Sequence, residues 1–191
     1  IYNGANDDAA GSTAVIMLAK YFKKKNNNER TIIFTTFVAE ELGGYGAKYF
    51  SKQLAAEQVI AMFNLEMIGT ESKWGKNSAY ITGFEKTNMG AILQKNLEGS
   101  AFKFYPDPYP EQELFYRSDN ATLAKLGVPA HTISQTVSGI DIAYAVLTGS
   151  NLIGQPTLYY RSFPSQTITW PARTWRAGSV IVIPHVFSGT P

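Results

Sequence analysis

Acidic side chains that could bind a metal occur at three places in the first 70 residues, each beside a segment predicted to be helix or strand: Asp7-Asp8, Glu40-Glu41 and Glu66. Taken singly, each has an ordinary explanation, since Glu-Glu pairs are common in solvated turns and Asp is a frequent N-cap. Several carboxylates at one place repel one another and lose hydration, so such a cluster usually requires a neutralising cation. Brought together by the fold, the three segments would form a metal site.

The adjacent pair Glu40-Glu41 predicts a particular chemistry. Consecutive side chains at the end of a strand point in different directions, so one can bind a metal while the other reaches a water near that metal. Metal-assisted hydrolysis needs this arrangement, because the metal lowers the pKa of the water and a neighbouring carboxylate accepts its proton.

The elements that must position these acids alternate along the chain. Patterns typical of helices cover 11–25, 43–54, 88–97 and 120–126, and patterns typical of strands cover 31–38, 59–67, 79–84, 102–105 and 128–133. This alternation predicts an α/β fold, a three-layer αβα domain with a mainly parallel central sheet. Sheets of this kind bind ligands beyond the carboxyl ends of their strands, which is where the two glutamate segments lie.

Composition excludes several classes of function. The 191 residues are 45% hydrophobic, enough for one domain with a buried core. The absence of cysteine rules out disulfides and thiolate metal sites. A net charge of +2, with no basic cluster interleaved with aromatics, predicts no nucleic-acid partner. No apolar run is long enough to predict a membrane-spanning segment.

Charged residues become scarce beyond residue 126. From there to the C-terminus the sequence contains only Asp141, Arg161, Arg173 and Arg176. A folded domain rarely loses its charged surface so abruptly. We therefore predict a partial catalytic domain over 1–134 and an anomalous tail over 135–191. The tail is either a β-rich extension or a foreign or frame-shifted segment, and the second interpretation is preferred.

Four short motifs follow one another in a recognisable order and spacing: GANDDAAG at 4–11, VAEELG at 38–43, NLEMIG at 64–69, and RSDN at 117–120 followed by GVPA at 127–130. In combination they resemble the co-catalytic zinc aminopeptidases of metallopeptidase family twenty-eight. This family includes bacterial leucyl aminopeptidases, glutamate carboxypeptidase and glutaminyl cyclases. The resemblance covers about residues 1–134 and implies the zinc exopeptidase fold of the phosphorylase/hydrolase-like type.

The resemblance assigns a role to each acid. It implies that Asp7 bridges two zinc ions, that the peptide bond between Asp7 and Asp8 is cis, and that Glu41 binds one zinc. Glu40 takes the position of the general base. Glu66 takes that of the carboxylate ligand of the other zinc, where many relatives have Asp.

The resemblance also implies one His ligand for each zinc, and neither is found where expected. The first would precede Ile1, and the second would fall near 140–146, where no His occurs. His131 comes too early in the pattern and is expected to be a half-buried structural residue, and His185 is expected to be a loop residue. We therefore expect an incomplete fragment of the catalytic core, cut short at its N-terminus. It should bind zinc weakly and have little activity alone, whereas the parent protein should be active.

The reaction implied is the release of N-terminal residues from peptides that have a free N-terminus, in an extracellular or periplasmic enzyme. Two alternatives remain. One is cyclase or carboxypeptidase chemistry within the same family, and the other is a non-catalytic domain that has lost its metals. The aromatic-rich stretch 102–116 either borders the cleft or, as preferred, belongs to the core.

Overall fold

A computed structural model describes residues 4–135 and 176–183 of the chain. The helices are α1 (Gly11–Lys25), α2 (Tyr45–Ser51), α3 (Met89–Asn96) and α4 (Asn120–Ala124). The strands are β1 (Thr31–Val38), β2 (Ala61–Leu65), β3 (Ser78–Ile81), β4 (Lys103–Pro106), β5 (Ala130–Ser134) and β6 (Arg176–Ile183). Every helix and strand predicted between residues 11 and 134 is present, and most are shorter than predicted.

Helix α1 has the bounds that its sequence predicts. Val15 is buried on its inner face, and three lysines occupy its last turn, where cations interact favourably with the helix dipole. The helix ends at Asn26, whose left-handed conformation (φ 48°) places its backbone N–H on the carbonyl of Phe22.

The six strands form one sheet in the order β1-β6-β2-β5-β3-β4. Strands β2 and β5 pair in parallel, as do β3 and β4, whereas β6 is antiparallel to both β1 and β2 and β3 is antiparallel to β5. Strands β1, β2 and β5 consequently run in one direction. The carboxyl ends of these three strands therefore lie at the same edge of the sheet.

Helices cover both faces of the sheet. Phe37 on β1 packs in a buried cluster with Ala47 of α2 and Leu123 of α4, and Ile33 lies on the same face. Phe34 points to the opposite face because side chains alternate along a strand, and there its ring lies 6.0 Å from that of Phe22 on α1. The prediction of an α/β domain with helices around a central sheet is confirmed.

Strand β6 belongs to the low-charge region beyond residue 126, yet it occupies the interior of the sheet. All eight of its residues pair with β1, and Ile181 is fully buried in the cluster that contains Met62 of β2. A foreign or frame-shifted tail would be expected to pack loosely on the sheet, and for 176–183 that expectation is wrong. The region near 140–146 and His185 lie outside the described residues, and the proposed division at 134/135 stays a prediction.

Within the described ranges, the longest helices are too short or too polar to cross a lipid bilayer.

Replacing Ile181 with Ala should lower the free energy of unfolding by ~2–5 kcal/mol, because it removes buried methyl groups from the centre of the sheet and leaves a cavity. The same replacement at Ile16, whose side chain is 57% exposed on α1, should change it by less than about 0.5 kcal/mol. Urea denaturation of both variants measures the difference. Equal effects would mean that β6 does not belong to the folded core.

Candidate metal and catalytic site

Glu40 and Glu41 lie in a tight turn directly after β1. Ala39 adopts a left-handed conformation (φ 59°), and the backbone N–H groups of Gly43 and Gly44 donate to the carbonyl of Glu40 at 2.9 and 2.8 Å. The turn leaves the Glu41 side chain exposed and the Glu40 side chain partly buried. The two carboxylates therefore have different environments, as the sequence predicts for consecutive residues at the end of a strand.

Asp7 lies in the irregular segment Ala5–Ala10 before α1, where the Asp7-Asp8 peptide bond is cis, as predicted. Asp8 is buried, and its Oδ1 accepts hydrogen bonds from the backbone N–H groups of Gly11 (3.0 Å) and Met67 (3.2 Å). Asp8 thereby joins the start of α1 to the end of β2. The Asp7 carboxyl is partly buried and hydrogen-bonds to Glu41.

Glu66 follows the last residue of β2 and is held by two side chains. Ser118 donates a hydrogen bond to its carboxyl, and Asn64 Nδ2 lies 3.4 Å from Glu66 Oε2. Asn64 also donates to Ser118 Oγ at 2.7 Å, so the three side chains form one connected group. Burial raises the pKa of Glu66 well above its ordinary value, while the Ser118 hydrogen bond opposes this and the nearby Glu40 adds to it.

The acids lie close enough to shift one another's pKa values. Burial, and then the charge of Glu41, raises the pKa of Asp7 to about 6. Burial, followed by the charges of Asp119 and Glu41, raises the pKa of Glu40 to about 7, with Arg117 acting in the opposite direction. The structure thus brings acids from the three predicted segments to one edge of the sheet, and it places Asp7 in direct contact with Glu41.

The donor atoms at this edge are carboxylate oxygens, whose mutual repulsion a cation would relieve. Within 4–135 and 176–183, however, no three His, Cys, Asp or Glu side chains are grouped in an arrangement that could hold a metal ion. The described residues therefore fit a divalent cation by charge but do not form a complete ligand set.

Asp119 is a further acid at the site, to which the sequence analysis assigned no role. It is 1% exposed, and neither carboxylate oxygen has a hydrogen-bond partner in the described structure. Burial raises its pKa to about 7. Asp119 and Glu40 line a cavity of about 760 Å³ that extends between α2 and α4. The signal that could have identified Asp119 is its place in the RSDN motif.

His131 is buried in the core, away from the acids. Its Nδ1 lies 2.8 Å from the carbonyl oxygen of Thr82, which can only accept, so Nδ1 carries the proton. Its Nε2 then accepts from the Thr87 hydroxyl at 2.7 Å. With both ring nitrogens engaged, His131 is not available to a metal, in agreement with its predicted structural role. It is fully buried rather than half-buried.

Comparison with known proteins gives one family match. The model of peptidase family M28 matches residues 1–151. No match was found among curated protein sequences. Among solved structures, the chain is similar to an aminopeptidase from Aneurinibacillus sp. strain AM-1, with 24% identity and a TM-score of 0.48 over 70% of this chain. The similar region spans 31% of that aminopeptidase.

The environment of His131 predicts a pH dependence of stability. Burial lowers its pKa below the ordinary value of 6.5, so the unfolded chain takes up the proton more readily than the folded one. The resulting stability is present at pH 8 and is lost as the pH falls through 6.5 towards the folded pKa. Urea denaturation at pH 8, 6.5 and 5 should show that the free energy of unfolding changes more favourably on acidification in His131→Asn than in the natural chain.

The two proteins are compared by how much the free energy of unfolding of each changes between pH 8 and pH 5. Its absolute value is not compared, because His131→Asn also alters packing at every pH. Asp7, Glu40 and Asp119 contribute equally to both proteins and cancel in the difference. Identical pH dependence in the two proteins would contradict the assignment of a neutral, buried His131.

Proposed function

Because the chain belongs to peptidase family M28, we propose that it carries the catalytic acids of a zinc aminopeptidase, which hydrolyses the N-terminal residue from a peptide with a free N-terminus. The observation that carries the proposal is the convergence of Asp7, Glu40, Glu41 and Glu66 from three separate segments at one edge of the sheet. Such a concentration of partly buried carboxylates is costly to fold unless it serves a cation or a reaction.

In this proposal Asp7, Glu41 and Glu66 are the residues that would hold zinc. Bound zinc supplies a Lewis acid that polarises the scissile carbonyl and lowers the pKa of a water molecule. Glu40 accepts the proton of the attacking water and returns it to the leaving amine, the role of a general base and then a general acid. Its partly buried position near Arg117 keeps it beside the acids rather than free in solvent.

The donor set makes weak zinc binding part of the proposal. Zinc sites commonly include imidazole or thiolate, whereas carboxylates alone suit harder cations such as Mg, Ca or Mn. Of the two histidines, His131 has both ring nitrogens engaged in hydrogen bonds, and His185 lies outside the described residues. We therefore propose low zinc affinity and low activity for the 191-residue chain by itself.

A second candidate is a non-catalytic member of the family that has lost its metals. This candidate is favoured because the described residues contain no group of three His, Cys, Asp or Glu side chains that could hold a metal ion. Retention of both Glu40 and Glu41 favours the peptidase, since a domain without catalysis has no need of two adjacent acids in this turn.

The role of Glu40 is tested by hydrolysis of an aminoacyl-nitroanilide with excess zinc or manganese, with and without chelator. Glu40→Gln should lower kcat by ~10²–10⁴-fold, because the water loses its base, while the metal content stays unchanged. Asp7→Asn should instead weaken metal binding. Glu57→Gln, which alters an exposed glutamate elsewhere, is the matched control and should keep full activity.

An active Glu40→Gln variant would show that Glu40 is not the base. Chelator-insensitive or absent hydrolysis, together with no metal uptake by the natural chain, would favour the non-catalytic candidate.

A further inference from the structure

The cavity between α2 and α4 has a different charge at each end. Both helices begin beside the acids, since Gly44 and Asp119 are their N-caps, and both run away from the site. Lys52 and Lys125 are the C-caps of the same two helices, and both line the cavity. We call this cavity the α2–α4 groove, with Glu40 and Asp119 at its acidic end, where Arg117 also lines it, and with Lys52 and Lys125 at its basic end.

The acidic end contains a buried carboxyl group whose two oxygens lack a hydrogen-bond partner in the described part of the chain. Asp119 lines the groove, is 1% exposed, and has no hydrogen-bond donor to either oxygen among the described residues. A buried carboxylate without a donor costs more free energy than an ordinary unsatisfied polar group. A cationic group with several N–H donors would satisfy both oxygens, and the α-ammonium group of a peptide is such a group.

The basic end contains cations without acidic partners. The side chains of Lys52 and Lys125 are exposed, and within the described ranges neither forms an ion pair with a carboxylate. Lys48 is exposed too, but its ammonium lies 5.9 Å from the centroid of the Tyr45 ring, towards the start of α2. Lys52 and Lys125 are therefore available to an anionic ligand.

The length of the groove limits the ligand. Eight residues separate Gly44 from Lys52, which corresponds to ~12 Å at the rise of an α-helix. An extended peptide covers ~3.3–3.6 Å per residue, so this length fits three or four residues. The volume of about 760 Å³ falls within the range of small-molecule binding sites.

Building on the proposed function, we propose that the α2–α4 groove binds short peptides of three or four residues. The α-ammonium group lies at Asp119, and the free C-terminal carboxylate lies between Lys52 and Lys125. The groove and its substrate thus carry opposite charges at both ends. The preferred substrate class is the tri- or tetrapeptide with both termini free, rather than a long polypeptide, whose C-terminus would lie beyond the lysines.

The first experiment measures binding without hydrolysis. The 191-residue chain is titrated calorimetrically, in chelator, with Leu-Gly-Gly, with its C-terminal amide and with its N-acetyl derivative. The free tripeptide should bind at least tenfold more tightly than either derivative at low salt. The advantage over the amide should shrink as salt is added, because exposed charges are screened. Equal affinity for the free tripeptide and its amide would overturn the proposal.

Amino-acid replacements test which end of the groove binds which terminus of the peptide. Lys52→Gln combined with Lys125→Gln should remove the preference for the free carboxylate, whereas Lys23→Gln combined with Lys24→Gln removes the same charge from α1 and should leave it intact. Asp119→Asn should weaken the binding of the free tripeptide and of its amide by the same factor. The affinity for the N-acetyl derivative should not change. A loss of the carboxylate preference in the α1 control would show a nonspecific charge effect and overturn the assignment.

An assay of peptide hydrolysis with added metal distinguishes the groove proposal from the proposed peptidase activity. Metal-dependent cleavage of the free tripeptide and its amide at equal kcat/KM would support the peptidase and overturn the groove assignment. Selective binding of the free tripeptide, together with no cleavage and no metal uptake in excess zinc or manganese, would support the groove and favour the non-catalytic candidate over the peptidase.

Discussion

The constraint on which the site depends is the repulsion between carboxylates held at the edge of the sheet. Asp7, Glu40, Glu66 and Asp119 are all withdrawn from water to some degree, and the Arg117 guanidinium lowers the pKa of Glu40 against the effect of the neighbouring acids. This concentration of like charge destabilises the folded chain, so packing and hydrogen bonds elsewhere must hold the acids in place.

Buried polar side chains provide part of that support. Asn64 and Thr132 lie on adjacent parallel strands, and Asn64 Nδ2 donates to Thr132 Oγ1 at 3.1 Å. The Thr132 hydroxyl donates in turn to Asn120 Oδ1, and Asn120 Nδ2 donates to the carbonyls of Phe115 and Ala130. The network links β2, β5 and α4, and through Asn64 and Ser118 it reaches Glu66. The position of that acid therefore depends on residues far from it in the sequence.

The sequence predicts the helices and strands of residues 11–134 well, and its failures have physical reasons of their own. The predicted bounds of helix α1 and strand β1 agree with the structure, because α1 has a strong helical periodicity and β1 is rich in β-branched residues. The role of β6 was missed because charge was taken as a mark of a folded domain. A strand inside a sheet covered on both faces needs no charged residues. Asp119 was missed because an Asp before a helix is so often a simple cap.

The interior position of β6 also has a consequence for how the chain is made. Strands β1 and β2 are both complete by residue 65, but the strand that fills the space between them is synthesised more than 100 residues later. A nascent chain on the ribosome therefore carries two apolar strand edges without their common neighbour until more than 100 further residues have been synthesised. Such pairing across long sequence separations is slow, and exposed strand edges favour aggregation. Efficient production of this protein should thus depend on what shields those edges during translation.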